Sequence, residues 1–593
     1  MQELSYPFDS GYIMKNKKKL RRLLLTDGRT RFKKKIAFLL GSTADDIIKV
    51  TELFLLDMGI ECEFYKSEYN KFWEDGVFDN PELEIFAPDI IIIHTTNRNV
   101  RSYRFDMSLD RQGADDMLDD EFEHFKTLWE SLKAKYNCPI IQNNFEMPLY
   151  RVLGNRDAWD FHGFGNFLTR LNMRFYDYAS SHESFYINDI NYLSAQCGLE
   201  KWADPSYWYM YKYALNVEFI PELALNIANI IKSIFGRNKK AIITDMDNTL
   251  WGGIIGDDGV EGIETGYETA SGECFSEFQE YIKMHRQIGV VLCVNSKNDY
   301  ENAIAGLNHP DVALNPDDFA VIKANWDPKS INIEETASEL SLLPESFVFL
   351  DDNPAEREIV TAQTGAVSPY LDVNHEYIRT VDRNGYFEVT SLSDDDLKRN
   401  DMYMADKQRR DTSKKFESYD DYLKSLDMKA EIHPFEAADI ARVTQLTNKS
   451  NQFNLTTKRY TQNEIEEAAA DKNRITLCGR LEDKFGSYGI VSVMIGKIDN
   501  DVMDVELWLM SCRVLRRGME YAMMDNLIKK AREKGVKTIR GHYYKTAKNN
   551  MVRELYGEMG FDKVSEDENG DSLWTTETAK QHKLNYFIDV KES

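Results

Sequence analysis

The stretch Lys239–Gly253, KKAIITDMDNTLWGG, constrains this chain more than any other. Two lysines lead into Ala241-Ile242-Ile243, a run with the length and composition of a parallel strand buried on both faces. Asp245 and Asp247 follow at once, then Asn248, Thr249 and the pair Gly252-Gly253. Carboxylates one residue apart at the C-terminal end of such a strand lie in the crevice where open α/β sheets bind ligands. There they can hold one Mg²⁺ between them, through carboxylate and backbone oxygens. The bland alternative is an acidic turn whose aspartates satisfy backbone N–H groups. Three downstream strand ends decide against it.

The first is Val290–Val294, which runs into Asn295-Ser296-Lys297-Asn298-Asp299 after a helical stretch Phe275–Gln287. Asn298 or Asp299 would cap the helix that follows. The second is Phe319–Ile333, FAVIKANWDPKSINI, in which Lys329 opens a helix after Asp327-Pro328; Lys323 is the competing lysine. The third is Ser346–Leu350, ending in Asp351-Asp352. Four carboxylates gathered at one point without a cation would be strongly unfavourable, and this argues for a metal.

The order D-x-D-x-T, Ser, Lys, Asp-Asp on successive strand ends resembles the four motifs of the haloacid dehalogenase (HAD) superfamily. The resemblance implies catalytic roles for Asp245, Asp247, Ser296 and Lys329. It implies Mg²⁺ ligands among Asp245, Asp247, Asp351 and Asp352, and substrate contacts from Thr249, Asn295 and Asn298. Asp245 would form an aspartyl-phosphate, and Asp247 would serve as acid and then base. Ser296 and Lys329 would bind the phosphoryl oxygens. Little chain separates the motifs. Trp251–Gly266 suffices for a flap, and Ser296 to Lys329 for one helix and one strand, so a capless crevice is expected.

A chain of 593 residues is too long for one core. Three regions are expected: residues 1–235 and 236–385 as α/β domains and 426–593 as an α+β domain, with a helical linker at 386–425. The first alternates strands (Ile36–Leu40, Glu61–Tyr65, Ile90–His94, Cys138–Gln142) with helices, which gives a flavodoxin-like parallel sheet. Gly41-Ser42 after its first strand, with Asn143 or Asn144 late, resembles the layout of SGNH hydrolases. The closing Asp204-Pro205-Ser206-Tyr207 has tyrosine where that family has its histidine. A degenerate domain is therefore expected, with His94 and His182 structural.

DMDNTLWGGIIGDDG, NSKND, NWDPKSINI and FVFLDDNPAERE together resemble FkbH-like proteins of HAD subfamily IIIC. That resemblance implies a glyceryl unit loaded from 1,3-bisphosphoglycerate onto an acyl carrier protein through a cysteine. The family's C-S-K-N cysteine is Asn295 here, and the nearest thiol is Cys293. The two share a strand face, but a buried Cys293 is the simpler expectation. This departure favours plain phosphate hydrolysis over transfer. A scaffold that only binds a phosphorylated partner is a further alternative, against which stands the retention of every catalytic residue type.

In the last region, strands at Arg474–Arg480, Tyr488–Lys497 and Val502–Met510 precede SCRVLRRG and a long helix, Met519–Gly535. This resembles the pyrophosphate loop of GNAT acyltransferases and implies acetyl-CoA or phosphopantetheine held by Arg513, Arg517 and Gly518. Arg516 stands at the loop's middle glycine. Glu506, His542 and Tyr544 remain as base candidates. The formal charge of −26 argues against a nucleic-acid partner. With seven cysteines lacking a C-x-x-C pair, and with no long apolar run, a cytoplasmic protein is expected that binds no membrane and acts on a phosphorylated small molecule or protein.

Overall fold

The computed structural model describes residues 1–413, 415–450, 452–580 and 583–591. Lys414 of the expected linker and positions 451, 581, 582, 592 and 593 of the expected C-terminal region lie outside the described residues. The chain forms two compact units, Met1–Ile234 and Phe235–Ser593.

In the first unit, β1 (Phe32–Leu40), β2 (Ile60–Lys66), β3 (Ile90–His94), β4 (Ile140–Asn143) and β5 (Phe185–Asn188) form a parallel sheet of order β2-β1-β3-β4-β5. Strand β1 begins earlier than its apolar residues suggest. Lys33–Lys35 continue the ladder with β2 at its less buried end, where Lys34 pairs with Asp89 at 2.8 Å. Gly41-Ser42 leaves β1 at the point where the strand order reverses, the usual position of a crevice in such sheets. The Ser42 hydroxyl is buried without a hydrogen-bond partner among the described residues. Asp204 is engaged as a helix N-cap, accepting from Ser206 N at 2.8 Å, and Tyr207 lies within that helix, Pro205–Tyr211. His94 is fully buried beside Asn143 Nδ2 at 2.9 Å, and burial pushes its pKa down to about 4. His182 stacks on Tyr178.

The second unit contains two sheets. In the central one, β6 (Ala241–Thr244), β7 (Val291–Ser296), β8 (Val321–Ala324) and β9 (Phe347–Leu350) are all parallel, in the order β8-β7-β6-β9. Each strand is a continuous apolar run because both faces are covered. Ile242, Leu292, Val294, Val348 and Leu350 enter one core, while Ala241, Ile243, Val291, Cys293, Phe347 and Phe349 enter the other. The domain is HAD-like. The flap after β6 is a short helix, Ile255–Asp258, closed by reciprocal backbone hydrogen bonds between Gly252 and Glu264. Only helix Tyr300–Leu307, a short 3₁₀ turn and β8 separate Ser296 from Lys329, so there is no large cap among the described residues.

The C-terminal sheet runs β16-β17-β15-β14-β13-β12-β10-β18. Its strands are β10 (Met428–His433), β12 (Arg474–Asp483), β13 (Gly486–Asp499), β14 (Val502–Met510), β15 (Thr538–Tyr543), β16 (Asp562–Glu566), β17 (Ser572–Glu577) and β18 (Ile588–Lys591). A two-residue strand, β11 (Phe453–Asn454), pairs with β14. An antiparallel meander that turns parallel between β14 and β15, with helix Met519–Glu533 as the crossover, is GNAT-like. The charged stretch ahead of it holds helices Asp394–Leu397, Arg399–Ser413 and Tyr419–Ser425. No described helix is long and apolar enough to cross a membrane.

Candidate active site

The ends of β6 and β9 bring Asp245, Asp351 and Asp352 together, with a carboxylate oxygen of each within 4.8 Å of the others. Lys329 is the cation facing them. It is 3 % exposed, and its Nζ donates to Asp245 Oδ2 at 2.7 Å and to Asp351 Oδ2 at 2.5 Å. Burial alone would lower the lysine's pKa, but the two carboxylates outweigh it and hold the pKa above the ordinary value. One ammonium does not balance three carboxylates. Burial, and then Asp245, raise the pKa of both Asp351 and Asp352. An all-oxygen, carboxylate-rich donor set of this kind fits a hard divalent cation.

The loops carrying these groups are tied to one another. Thr249 Oγ1 accepts from Asp352 N at 3.2 Å, joining the β6 loop to the β9 loop. Asn248 takes a left-handed conformation at φ 53°, and its Oδ1 accepts from Gly253 N at 3.1 Å, which turns the chain into the flap. Gly253 itself has φ 90°, and a Cβ there would lie 2.8 Å from Asp258 Oδ2, so glycine is required.

Asp247 does not join the three-carboxylate cluster. Its Oδ1 accepts from Trp251 Nε1 at 2.9 Å and Ile255 N at 3.1 Å, and its Oδ2 from Asn298 Nδ2 at 2.9 Å. Its carboxylate, expected among the metal ligands, thus stands outside the group of carboxylates that could hold an ion. Burial raises the pKa of this carboxyl despite the three donors. Ser296 ends β7 and is 2 % exposed.

Thr249, Asn295 and Asn298 were expected to touch substrate, and all three are engaged within the protein. Asn295 Nδ2 donates to Lys329 O at 2.9 Å, and its Oδ1 accepts from Asn332 Nδ2 at 3.0 Å. It fixes the first turn of the lysine's helix. Asn298 orients Asp247. Lys323, the rival of Lys329, points elsewhere and pairs with Glu335 and Glu339. Cys293 lies one pleat below Asn295 on the same face. It is fully buried, and burial pushes its thiol pKa well up.

Arg357 was not anticipated. A cation in the first turns of a helix opposes the helix dipole, yet Arg357 sits there, 6 % exposed, in helix Pro354–Thr364. Its Nη1 donates to Asp351 O and Asp352 O, each at 2.8 Å, and its Nη2 pairs with Asp372. An arginine placed against the dipole, five residues after an Asp-Asp pair, was the available signal.

In the C-terminal sheet, Gly518 has φ 87° and caps helix Met519–Glu533, while Arg516 takes φ 62°, the left-handed region that its glycine-like position demands. Arg517 is already engaged, 3.7 Å from Asp406, 3.5 Å from the Tyr422 hydroxyl and over the Tyr488 ring. Arg513 donates to Ser511 Oγ at 3.4 Å. Strands β14 and β15 pair only over Val502–Val505 and Thr538–Gly541 and then part. The opening is filled by the chain itself. Phe453–Asn454 pairs with Leu509–Met510, Leu455 N donates to Trp508 O at 3.0 Å, and Tyr544 N donates to Leu455 O at 2.8 Å. This segment occupies the edge of β14 at Trp508–Met510. Of the base candidates, Glu506 pairs with Arg474 and His542 with Asp504, while Tyr544 is 39 % exposed.

Residues 35–232 match the family model of the FkbH N-terminal domain. The N-terminal part of the protein BF1531 from Bacteroides fragilis, which contains a phosphatase domain and was solved with Mg, aligns at 27 % identity and TM-score 0.58. The alignment covers 63 % of this chain and 99 % of that one. The first unit is thus similar to the FkbH N-terminal domain. The ribosomal-protein-S18-alanine N-acetyltransferase of Escherichia coli aligns at 14 % identity and TM-score 0.21, over 27 % of this chain and 99 % of its own. A GNAT acetyltransferase of Streptococcus pneumoniae aligns at 18 % and 0.22, over 25 % and 99 %. No curated protein matches the sequence.

Proposed function

We propose that the central domain of this chain is a Mg²⁺-dependent phosphatase that hydrolyses a phosphate ester or acyl phosphate through an aspartyl-phosphate on Asp245. The observation that carries the reading is Lys329 Nζ between Asp245 and Asp351, with Asp352 alongside and the Asp247 carboxyl held apart. Asp245, Asp351 and Asp352 would hold the ion, and when bound it would neutralise phosphoryl charge.

Asp245 attacks phosphorus, and the bond to the leaving oxygen breaks as Asp247 delivers its proton to that oxygen. Asp247 suits this task because burial favours its protonated form, while Trp251, Ile255 N and Asn298 fix its direction. The carboxylate it then becomes takes a proton from the water that attacks the phospho-aspartate, and phosphate leaves. Lys329 and the Ser296 hydroxyl donate to the phosphoryl oxygens. With no large cap among the described residues, the crevice suits a phosphate carried on a small molecule or on a protein. Hydrolysis leads over glyceryl transfer because the Cys293 thiol lies in the core, out of reach of a bound acyl group.

Two assays test the reading. The first measures phosphate release from a panel of phosphate esters and acyl phosphates, with Mg²⁺ and with chelator. Asp245→Asn turning over like the natural chain would refute it. The second incubates the chain with 1,3-bisphosphoglycerate and a holo carrier protein and weighs the carrier. A glyceryl adduct would replace hydrolysis by transfer.

A further inference from the structure

Three large apolar side chains are exposed on the loops that hold Asp247. Trp326 is 70 % exposed, Tyr300 52 % and Ile254 46 %. Each is placed by a neighbour that belongs to the site. Ile254 directly precedes Ile255, whose N donates to Asp247 Oδ1 at 3.1 Å. Tyr300 opens helix Tyr300–Leu307 two residues after Asn298, whose Nδ2 donates to Asp247 Oδ2 at 2.9 Å. Trp326 lies in the short loop between β8 and Lys329. There Asn325 N donates to Ser296 O at 3.1 Å, and Trp326 Nε1 donates to Asp299 Oδ1 at 2.9 Å.

The crevice is therefore two-sided. The β9 loop, with Asp351 and Asp352, lies on the other side of β6 from β7 and β8, and residues 351–353 include no apolar side chain. A single exposed apolar residue needs no explanation, but three on loops that meet at one carboxyl mark a recognition surface. The indole is the best suited of the three. Its hydrogen bond to Asp299 fixes its edge and leaves its faces free, so a ring that stacks on it meets a platform already in place. Asp257, Asp299 and Asp327 are exposed on the same three loops, and they would repel a second phosphate.

We propose that Trp326, with Tyr300 and Ile254 beside it, selects substrates whose leaving group carries an uncharged, flat apolar ring. This rests on the phosphatase reading, since it takes the Asp247 side of the crevice as the leaving-group side.

The full chain with Mg²⁺ is titrated by calorimetry with ethylphosphonate and with 2-phenylethylphosphonate. Neither can be hydrolysed as an ester, and the two differ by one ring. The ring should tighten binding about tenfold, the scale of one stacked aromatic pair with its buried area. Trp326→Ala, checked for folding by circular dichroism, should cut that ratio to about two, and Trp326→Phe should keep most of it. Equal affinities in the natural chain, or binding of neither ligand, overturn the proposal. So does a tenfold ratio that survives in Trp326→Ala. Turnover is read separately, as phosphate released from ethyl phosphate and 2-phenylethyl phosphate, whose leaving alcohols are of nearly equal acidity. kcat/KM should favour the ring, with the preference residing mainly in KM. Release with no preference for the ring overturns the role of Trp326 and leaves the phosphatase reading intact. Ring-dependent binding without release refutes the phosphatase reading and supports Trp326 as the ring platform.

Discussion

The crevice at the ends of β6 and β9 and the opening between β14 and β15 are similar places. Each lies where strands stop pairing and a loop leads into a helix, and each carries the charged residues expected to hold a phosphate group. They differ in how far the protein has satisfied them. In the crevice, three carboxylates face one ammonium. In the opening, Arg517 already has Asp406 and Tyr488, and Phe453–Leu455 supplies the backbone partners that β14 lacks. A residue type at a strand end marks a ligand site only where the chain leaves its charge or its hydrogen bonds unmet.

The strongest way to break this contrast is to remove the reacting carboxylate. Asp245→Asn should lower single-turnover phosphate release by about 10³-fold or more, because the nucleophile acts as one unit with its partners. Lys329→Met should cost about 10²–10³-fold in kcat, the scale of losing one donor at a developing charge. The same variant strands two buried carboxylates, at a cost of about 3–5 kcal/mol. Its thermal midpoint in chelator should fall, and Mg²⁺ should recover much of it. Arg517→Met is the counterpart in the other region. It should lower the thermal midpoint without a metal-dependent recovery and leave phosphate release unchanged.

A finer test concerns Asp247. Burial raises its pKa, so the protonated acid persists to higher pH than an ordinary carboxyl would. Turnover of an ester, which needs that proton, should fall as pH rises through the raised value. An acyl phosphate, whose leaving group needs no proton, should show a weaker limb. Asn298 donates to the charged form and so holds the pKa down. Asn298→Ala should therefore move the limb upward by about one pH unit, the scale of one hydrogen bond. A limb that stays in place, or moves down, would remove Asp247 from the acid role.

What the sequence disclosed follows the same division. Apolar runs ending in Asp, Ser and Asp-Asp located the central sheet and its crevice, because strands buried on both faces leave an unbroken signature. The partners of those groups were less legible. Thr249, Asn295 and Asn298 are read by type as ligand-binding residues, and each also ties together segments distant in sequence, which only the folded chain shows. Arg357 was missed for the same reason, since its acceptors are backbone carbonyls that carry no sequence mark. In the C-terminal region the loop pattern was visible, whereas a two-residue strand such as Phe453–Asn454 has no periodicity to detect.

The smallest effect is expected where the second region is probed directly. Acetyl-CoA titrated into the full chain should give no heat above dilution. A pantetheine arm lying along β14 would need the acceptor at Trp508 and the ladder positions at Leu509–Met510, and Phe453–Leu455 holds them. Displacing that segment also releases Asn549 Nδ2 from Asn454 O and Thr456 Oγ1 from Glu506 O, at 2.9 Å each. At about 1 kcal/mol per hydrogen bond, these four interactions and the burial of Phe453 oppose entry by several kcal/mol. Thr456→Ala with Phe453→Ala removes part of that opposition. If heat appears in the double variant and not in the natural chain, the groove is intact beneath its own segment. If heat appears in the natural chain, the segment yields readily, and the contrast between the two regions is one of degree.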